Sequence, residues 1–242
     1  MYVQYGCGFG APAGWRNFDA SPTLRLERLP VVGRFVLKNS ARFPDNVEYG
    51  DIVHGLPVGP GSCRGVYASH VLEHLALDDM RVALANTFRM LQPGGVFRLV
   101  VPDLEALARA YLGASDDEAA LRFVRDSGMG REQRARTPVQ HAIALLGNSR
   151  HLWMWDFKGM RAELLRAGFS EVRRCVASDA EDPMFRLAED RGRFEGAVGI
   201  ECRRPLEGVG ASTRDIGQPA SANDNAAGQG SGQQSLAAAI AR

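Results

Sequence analysis

The chain has 242 residues, of which 45% are hydrophobic and 24% charged, and its formal net charge is +1. This is the composition of a globular protein with a sizeable core, and the near-zero charge does not indicate nucleic acid or an anionic membrane as a partner. The four cysteines, Cys7, Cys63, Cys175 and Cys202, form no CxxC pair, which disfavours a disulfide framework and a structural zinc site. The chain shows no signal segment and no apolar run of about 18 residues, so we expect a soluble cytoplasmic protein.

In chain order, strand patterns alternate with helix patterns. The predicted strands lie in the segments VQYG, WRNFDA, NVEYGD, GVYASH, VFRLVV, SEVRRCVA and AVGIECRRP. The segment DDMRVALANTFRML predicts a helix with Asp78 as N-cap, which QPGG ends, and a second helix is predicted in MRAELLRAGF. Such alternation predicts an α/β domain with a mostly parallel sheet, in which ligands bind beyond the carboxyl ends of the strands.

Three glycines follow the first predicted strand. Gly6, Gly8 and Gly10 form G-x-G-x-G, and glycine allows a ligand to approach the backbone closely. The loop lacks the G-x-G-x-x-G spacing that opens a helix for a pyrophosphate, and strand character resumes within a few residues. The chain also lacks the G-x-x-x-x-G-K-[ST] cradle of ATP and GTP sites. The loop is therefore better suited to a small, flat ligand lying against bare backbone.

The segment from 67 to 103, with VLEHL followed by LQPGG, is more specific than the glycines. It resembles the class I S-adenosylmethionine-dependent methyltransferases, in particular the bacterial methyltransferase type 11-like subgroup. GCG with GWRNFD, YGDIVHGLP, HLWMWD, AGFSEVRR and GRFEGAVGIECRRP extend the resemblance over nearly the whole chain up to residue 206. The resemblance implies a Rossmann-like fold whose seven-stranded sheet is mostly parallel, with the last strand antiparallel and helices on both faces.

The resemblance also implies roles for individual residues in binding S-adenosylmethionine. The three glycines would pack under the methionyl and ribose part of the cofactor. Asp19 would accept hydrogen bonds from the ribose hydroxyls, and Asp51 with Ile52 would hold the adenine. Ser69 and His70 would face the methionine end and the methyl group. Gln4 stands where many class I members carry an acidic residue, and its amide can bond to the cofactor but brings no charge to its ammonium.

Histidine is the side chain best suited to take a proton from an oxygen nucleophile near neutral pH. His70 is the first candidate because it falls at the carboxyl end of a strand, although it could instead only order the loop. His151 is a second candidate. Glu73 and His74 are interpreted as structural, and because the sequence shows no further ligand cluster at useful spacing, we predict no metal.

The segment 113–157 is predicted to be an insertion over the mouth of the site. Trp153 and Trp155 could stack on a sugar or ring, with Asp156 beside them, or could pack in the core of the insertion. Arginines of the segment could attract an anionic substrate or could form a solvated surface with neighbouring acids: Arg122, Arg125, Arg131, Arg134 and Arg136.

We therefore expect one methyltransferase domain over residues 1–206 and a disordered tail over 207–242, which is small, polar and without aromatic residues. The expected activity is methyl transfer to a small molecule or glycan, at oxygen. The alternatives are a methyltransferase-like module that only binds a partner, and a nicotinamide oxidoreductase, which the missing G-x-G-x-x-G disfavours. The sequence names neither the acceptor nor the oligomeric state.

Overall fold

The structure is a computed structural model that describes residues 1–30, 41–134, 136–137 and 150–206. The predicted tail, 207–242, lies outside the described residues, as does part of the predicted insertion. Within the described parts, all seven predicted strands and both predicted helices are present.

The strands are β1 (Tyr2–Tyr5), β2 (Trp15–Asp19), β3 (Val47–Tyr49), β4 (Cys63–Ser69), β5 (Leu91–Pro102), β6 (Ser170–Cys175) and β7 (Ala197–Arg203). The helices are α1 (Pro22–Glu27), α2 (Leu77–Met90), α3 (Leu104–Gly113), α4 (Ala119–Asp126), α5 (Phe157–Arg166) and α6 (Phe185–Ala188). Two short 3-10 helices, Leu72–His74 and Arg191–Phe194, follow β4 and precede β7.

All seven strands form one sheet in the order β3-β2-β1-β4-β5-β7-β6. The strands from β1 to β5 pair in parallel, whereas β7 runs antiparallel to both β5 and β6. The predicted α/β fold, including its antiparallel last strand, is therefore confirmed. The chain leaves β1 on one side for β2 and returns to pair β4 on the other, so a topological switch point lies between β1 and β4, where ligands of such sheets bind.

The two sheet faces carry separate apolar clusters because side chains alternate along each strand. On β5, Phe97, Leu99 and Val101 pack with α2 and α5 in the larger cluster. Val96 and Val100 point the other way, into a cluster that includes Phe185 of α6. Since both faces of β5 are buried, its sequence is an almost continuous apolar run.

The helix termini differ from the sequence prediction in one place. α2 begins at Leu77 after the N-cap Ala76, so the prediction of Asp78 as N-cap was wrong. Asp78 lies in the first turn instead, where its charge still favours the helix dipole. The chain then becomes extended at Leu91, because Pro93 follows and disfavours helical backbone before it.

The connection from β1 to β2, residues 6–14, contains no helix, as its short length predicted. It is a loop built around glycines with positive φ, at Gly6, Gly8 and Gly14. Among the residues that the structure describes, none of the helices combines the length and the apolar character needed to cross a bilayer.

Candidate functional site

A cavity of about 880 Å³ opens at the switch point, beyond the carboxyl ends of β1, β2 and β4. Each of these strands ends in a lining residue: Tyr5, Asp19 and Ser69. The cavity also reaches the segment after β3 and the 3-10 helix before β7. Of the residues assigned to the cofactor from the sequence, all line it: Gln4, Gly6, Gly8, Gly10, Asp19, Asp51, Ile52, Ser69 and His70.

Two glycines of the loop have positive φ but different surroundings. At Gly6 the backbone has φ +64°, and a Cβ there would lie 2.2 Å from Cγ2 of Val71. At Gly8 φ is +54°, and a Cβ would meet no atom within 4 Å. The first glycine is therefore required by the packing of the loop on the residue after β4, whereas the second leaves open space on the cavity side of the loop.

Asp19 fixes this loop as well as lining the cavity. Its Oδ2 accepts a hydrogen bond from the Gly8 N–H at 2.9 Å, and its Oδ1 accepts one from the Ser21 N–H at 2.8 Å. The side chain is buried, yet each carboxylate oxygen keeps a second lone pair. The carboxylate is thus held rigidly, with acceptor capacity for a ligand hydroxyl.

Asp51 follows β3 and lines the cavity. Its Oδ1 accepts a hydrogen bond from the Val53 N–H at 2.9 Å, and its Oδ2 lies 3.0 Å from Nδ1 of the exposed His54. The neighbouring Ile52 is buried in the core and adds an apolar wall. This combination of a carboxylate and an apolar surface suits a flat heteroaromatic ring that carries an amine.

Three buried polar atoms in the cavity wall have no hydrogen-bond partner among the described residues. They are Oε1 of Gln4 on β1, and Oη of Tyr67 and Oγ of Ser69 on β4. An unpaired buried polar atom is costly, so these atoms indicate a polar ligand that supplies the missing bonds. Together with the open space at Gly8, they fit a cofactor such as S-adenosylmethionine.

The charge of the cavity also favours that cofactor over a dinucleotide. Its wall carries three carboxylates, from Asp19, Asp51 and Asp190, and one guanidinium, from Arg193. A wall with excess negative charge attracts a sulfonium and an ammonium but repels a pyrophosphate. Because residues 6–14 form no helix, the loop also lacks the helix N-terminus that a pyrophosphate would use.

His70 lies in the cavity wall, but both of its ring nitrogens face other groups of the protein. Nε2 is 2.8 Å from the Arg193 carbonyl oxygen, and Nδ1 is 3.3 Å from Oε1 of Glu73. The Glu73 carboxylate raises the pKa of His70 against the opposing effect of burial. The residue also has φ +54°, a strained conformation for a histidine. This geometry favours a role in positioning the 3-10 helix 191–194 over a freely available base.

His151, the second predicted acid–base group, is not among the residues that line the cavity. Its ring stacks edge-on against His74 with centroids 5.0 Å apart, and its Nδ1 lies 2.7 Å from the Ser127 carbonyl oxygen. His74 does line the cavity, and burial lowers the pKa of its imidazole. The fold therefore brings together two histidines that are 77 positions apart, which no local pattern could reveal.

The three predicted substrate-binding residues take different places. Trp155 is buried in the main core, and Asp156 caps α5 by accepting a hydrogen bond from the Gly159 N–H at 2.7 Å. Neither residue lines the cavity, and packing and capping use their side chains elsewhere, so a role in substrate binding stays a prediction for both. Trp153 is 43% exposed and does not line the cavity either, so its role stays a prediction.

Two arginines of the predicted insertion are paired on the surface. Arg122 bonds to Asp116 through two nitrogens, at 2.8 and 2.6 Å, and Arg125 pairs with Glu132. These pairs fit a solvated surface, the alternative left open by the sequence, better than a site for an anionic substrate.

Sequence reasoning missed the 3-10 helix Arg191–Phe194, which closes one side of the cavity. Its N-cap Asp190 accepts a hydrogen bond from the Gly192 N–H at 2.9 Å, and Arg193 donates to the Ser69 carbonyl at 3.2 Å. The signal for this contact was weak, because a short run of charged residues before the last strand is typical of any surface loop.

A family match covers the strands that build the cavity. Residues 3–99, which run from β1 into β5, match the family model described as a methyltransferase domain. This segment supplies the glycine loop, Asp19, Asp51 and Ser69. Over this segment the chain therefore matches a methyltransferase domain, and the residues of the cavity suit S-adenosylmethionine as a cofactor.

Among curated proteins, the chain is similar to an uncharacterized 37.1 kDa protein in transposon TN4556 of Streptomyces fradiae, at 32% identity over 152 residues. The similarity covers 59% of this chain and 43% of that protein, so the chain spans less than half the length of this relative.

Among solved structures, the chain is similar to a SAM-dependent methyltransferase of Thermotoga maritima, described as a possible histamine N-methyltransferase. The identity is 17%, with 84% of this chain and 82% of that chain covered, and the TM-score is 0.45. A complex of the Trm112 methyltransferase activator with a putative methyltransferase from Haloferax volcanii has the same identity and coverage, with a TM-score of 0.44. These neighbours leave the methyl acceptor open.

Proposed function

We propose that the chain transfers a methyl group from S-adenosylmethionine to an oxygen atom of a small molecule or glycan. The observation that carries the proposal is the cavity at the switch point, with its glycine loop, its unpaired Gln4 and Ser69 oxygens and its excess of carboxylates. The family match over the strands that build this cavity supports the transfer chemistry. The choice of oxygen rests on the imidazoles near the cavity, which suit an acceptor that must lose a proton.

When bound, the cofactor supplies a methyl group that is already activated on a positively charged sulfur. The chain has to hold both reactants in line and exclude water. In this proposal Asp19 accepts from the ribose hydroxyls and Asp51 from the adenine amine. Ser69 and His70, at the end of β4, lie where the acceptor would meet the methyl group.

An oxygen acceptor must also lose its proton. His70 and His151 stay the predicted acid–base groups. For His70 to take a proton, its ring would have to release either the Arg193 carbonyl or the Glu73 carboxylate. The engagement of both His70 ring nitrogens favours a second candidate function. In that function the domain binds the cofactor and serves as a partner surface without catalysis.

Calorimetric titration of the purified chain with S-adenosylhomocysteine, S-adenosylmethionine and NAD tests the proposed cofactor site. We expect micromolar binding of the two adenosyl ligands and none of NAD. Asp19→Asn and Asp51→Asn should each weaken binding at least tenfold, about 1.4 kcal/mol, because the amide replaces one acceptor oxygen and removes the charge. The matched control is Asp78→Asn, whose side chain is 95% exposed on α2 and far from β2 in sequence.

Release of S-adenosylhomocysteine in the presence of candidate acceptors then separates the enzyme from the binding module. Hydroxyl-bearing sugars and small alcohols should support turnover, whereas their O-methylated counterparts should not. Cofactor binding without turnover on any acceptor would favour the binding module. Absence of adenosyl-ligand binding by the folded protein would contradict the proposed function altogether.

A further inference from the structure

We propose that Glu73, His74 and His151 form a binding site for a divalent transition-metal ion. The site goes beyond the proposed function and does not depend on it. The sequence predicted no metal, because Glu73 and His74 stand alone in their segment and the third residue is far along the chain. In the folded chain, His151 lies next to Glu73 and His74.

The three side chains are brought together by backbone contacts at the end of β4. Glu73 and His74 belong to the 3-10 helix Leu72–His74, which directly follows that strand. The Glu73 carbonyl accepts hydrogen bonds from the N–H groups of Leu152 and Trp153, at 2.7 and 3.2 Å. One potential ligand atom from each of the three residues consequently lies within 4.8 Å of the other two.

Both imidazoles are oriented in the way that metal ligands require. Nδ1 of His74 lies 2.8 Å from the Arg150 carbonyl oxygen, and Nδ1 of His151 lies 2.7 Å from the Ser127 carbonyl oxygen. A carbonyl can only accept, so each Nδ1 carries the proton and each Nε2 is left with its lone pair. An N–H that donates to a backbone carbonyl is the usual outer partner of a metal-binding histidine.

Glu73 supplies the second, independent observation. Its side chain is fully buried, and neither carboxylate oxygen has a hydrogen-bond partner among the described residues. Nδ1 of His70 lies 3.3 Å from Oε1, and it pairs with the carboxylate as an ion only while the His70 ring is protonated. A buried carboxylate without bonds is costly, and a cation held between it and two imidazoles would remove that cost.

Two histidines and one carboxylate form a ligand set that suits zinc and other divalent transition metals, with further coordination positions open. Tetrahedral ligands about 2.0–2.1 Å from zinc lie about 3.4 Å apart, so binding would draw together three atoms that now lie within 4.8 Å of one another. His74 also lines the cavity. A bound ion would therefore lie beside the part of the cavity wall that the residues after β4 form.

Titration of metal-free, full-length protein without a polyhistidine tag tests the site. Zn²⁺ is followed by calorimetry, and Co²⁺ by its visible absorption, which reports nitrogen and oxygen ligation. We expect one equivalent of either ion to bind with micromolar affinity or tighter. His151→Gln and Glu73→Gln should each weaken binding at least tenfold, since even the loss of an outer partner costs about 10–100-fold.

The matched control is His54→Gln, because His54 is a histidine with 84% exposure that lies outside the cluster, and it should leave metal binding unchanged. His151 is only half-buried, so His151→Gln decides the test if Glu73→Gln fails to fold, as thermal melting would reveal. No metal bound by the folded wild-type chain, or unchanged affinity in His151→Gln, would overturn the proposal. Titration of the same samples with S-adenosylhomocysteine keeps the two proposals apart, because binding of the metal alone would contradict only the proposed function.

Discussion

Two glycines in the loop after β1 share a positive φ but differ in what surrounds them. A Cβ at Gly6 would overlap Val71, whereas a Cβ at Gly8 would meet nothing within 4 Å. We expect Gly6→Ala to lower the free energy of unfolding by about 2–4 kcal/mol, from left-handed backbone strain and overpacking together. Urea unfolding measures this change.

Gly8→Ala is the matched variant for that experiment. It carries only the backbone strain, about 1–2 kcal/mol, but adds a methyl group to the open space of the cavity. We therefore expect the smaller loss of stability and the larger loss of S-adenosylhomocysteine affinity in Gly8→Ala. Equal stability losses in the two variants would contradict the assignment of Gly6 to loop packing.

Burial also determines how readily individual cysteine thiols react. Cys63, Cys175 and Cys202 are buried, and burial raises the pKa of each thiol, to about 12 for Cys175. At pH 8 a thiol with that pKa is ionised to about one part in ten thousand, and the thiolate is the reactive form. We expect these three cysteines to resist a chromogenic disulfide reagent in the native chain and to react at once in 6 M urea, roughly the range that unfolds small proteins. Rapid labelling of any of them at pH 8 without urea would contradict this burial.

Among the elements, β5 and β7 are joined to the segment around α6, residues 179–189, by a buried arginine. Arg98 is fully buried and contacts three carboxylates, from Asp179, Glu189 and Glu201, at 2.8, 2.7 and 2.5 Å. The same segment leads into Asp190 and Arg193 at the cavity wall. The arginine thereby links the sheet to one side of the site.

Arg98→Met should lower the free energy of unfolding by about 3–5 kcal/mol, because three carboxylates would lose their buried counter-charge. Thermal or urea unfolding measures this loss, and S-adenosylhomocysteine affinity should fall with it as the 3-10 helix 191–194 loosens. Arg122→Met, which removes an exposed ion pair with Asp116, is the control and should change stability little. A stability equal to that of the wild type in Arg98→Met would mean that the carboxylates find other partners.

The sequence predicted elements whose signal is local. The apolar run predicts β5, and the spacing of Met80, Leu84, Phe88 and Leu91 predicts α2, although Leu91 begins β5 instead. The predicted strand ends also placed Asp19 and Ser69 at one sheet edge, where the cavity lies. Alternation, helical spacing and turn residues are sufficient for such features because they repeat within a few residues.

Features that depend on distant contacts were not predictable in this way. A tryptophan can stack on the ring of a ligand, but Trp155 packs against distant residues in the main core. His151 meets Glu73 and His74 only because backbone bonds join the two segments. The buried charges around Arg98 likewise come from strands and loops that are far apart in sequence, so a charge pattern alone could not separate them from a solvated surface.

For the molecule as a whole, the described sheet and cavity are complete within residues 1–206, and all lining residues of the cavity lie before Phe194. The composition of 207–242 predicts a segment too polar to pack. If that prediction is right, the shortened chain 1–206 should unfold at the same urea concentration as the full chain. Its affinity for S-adenosylhomocysteine should also be unchanged.

The binding of a ligand to the folded state raises the stability of the full chain and of the shortened chain by an amount that can be calculated. S-adenosylhomocysteine at 100 times its dissociation constant should stabilise either chain by about 2.7 kcal/mol, since it binds only the folded state. For a chain of this size that gain corresponds to a rise of about 5–10 °C in melting temperature. Asp19→Asn should show a smaller rise at the same ligand concentration, because its loop loses the charged acceptor of the Gly8 N–H. A shortened chain that is stable but shows no ligand-dependent rise would mean that residues 207–242 take part in the site, which would overturn the assignment of the cofactor site to residues 1–206.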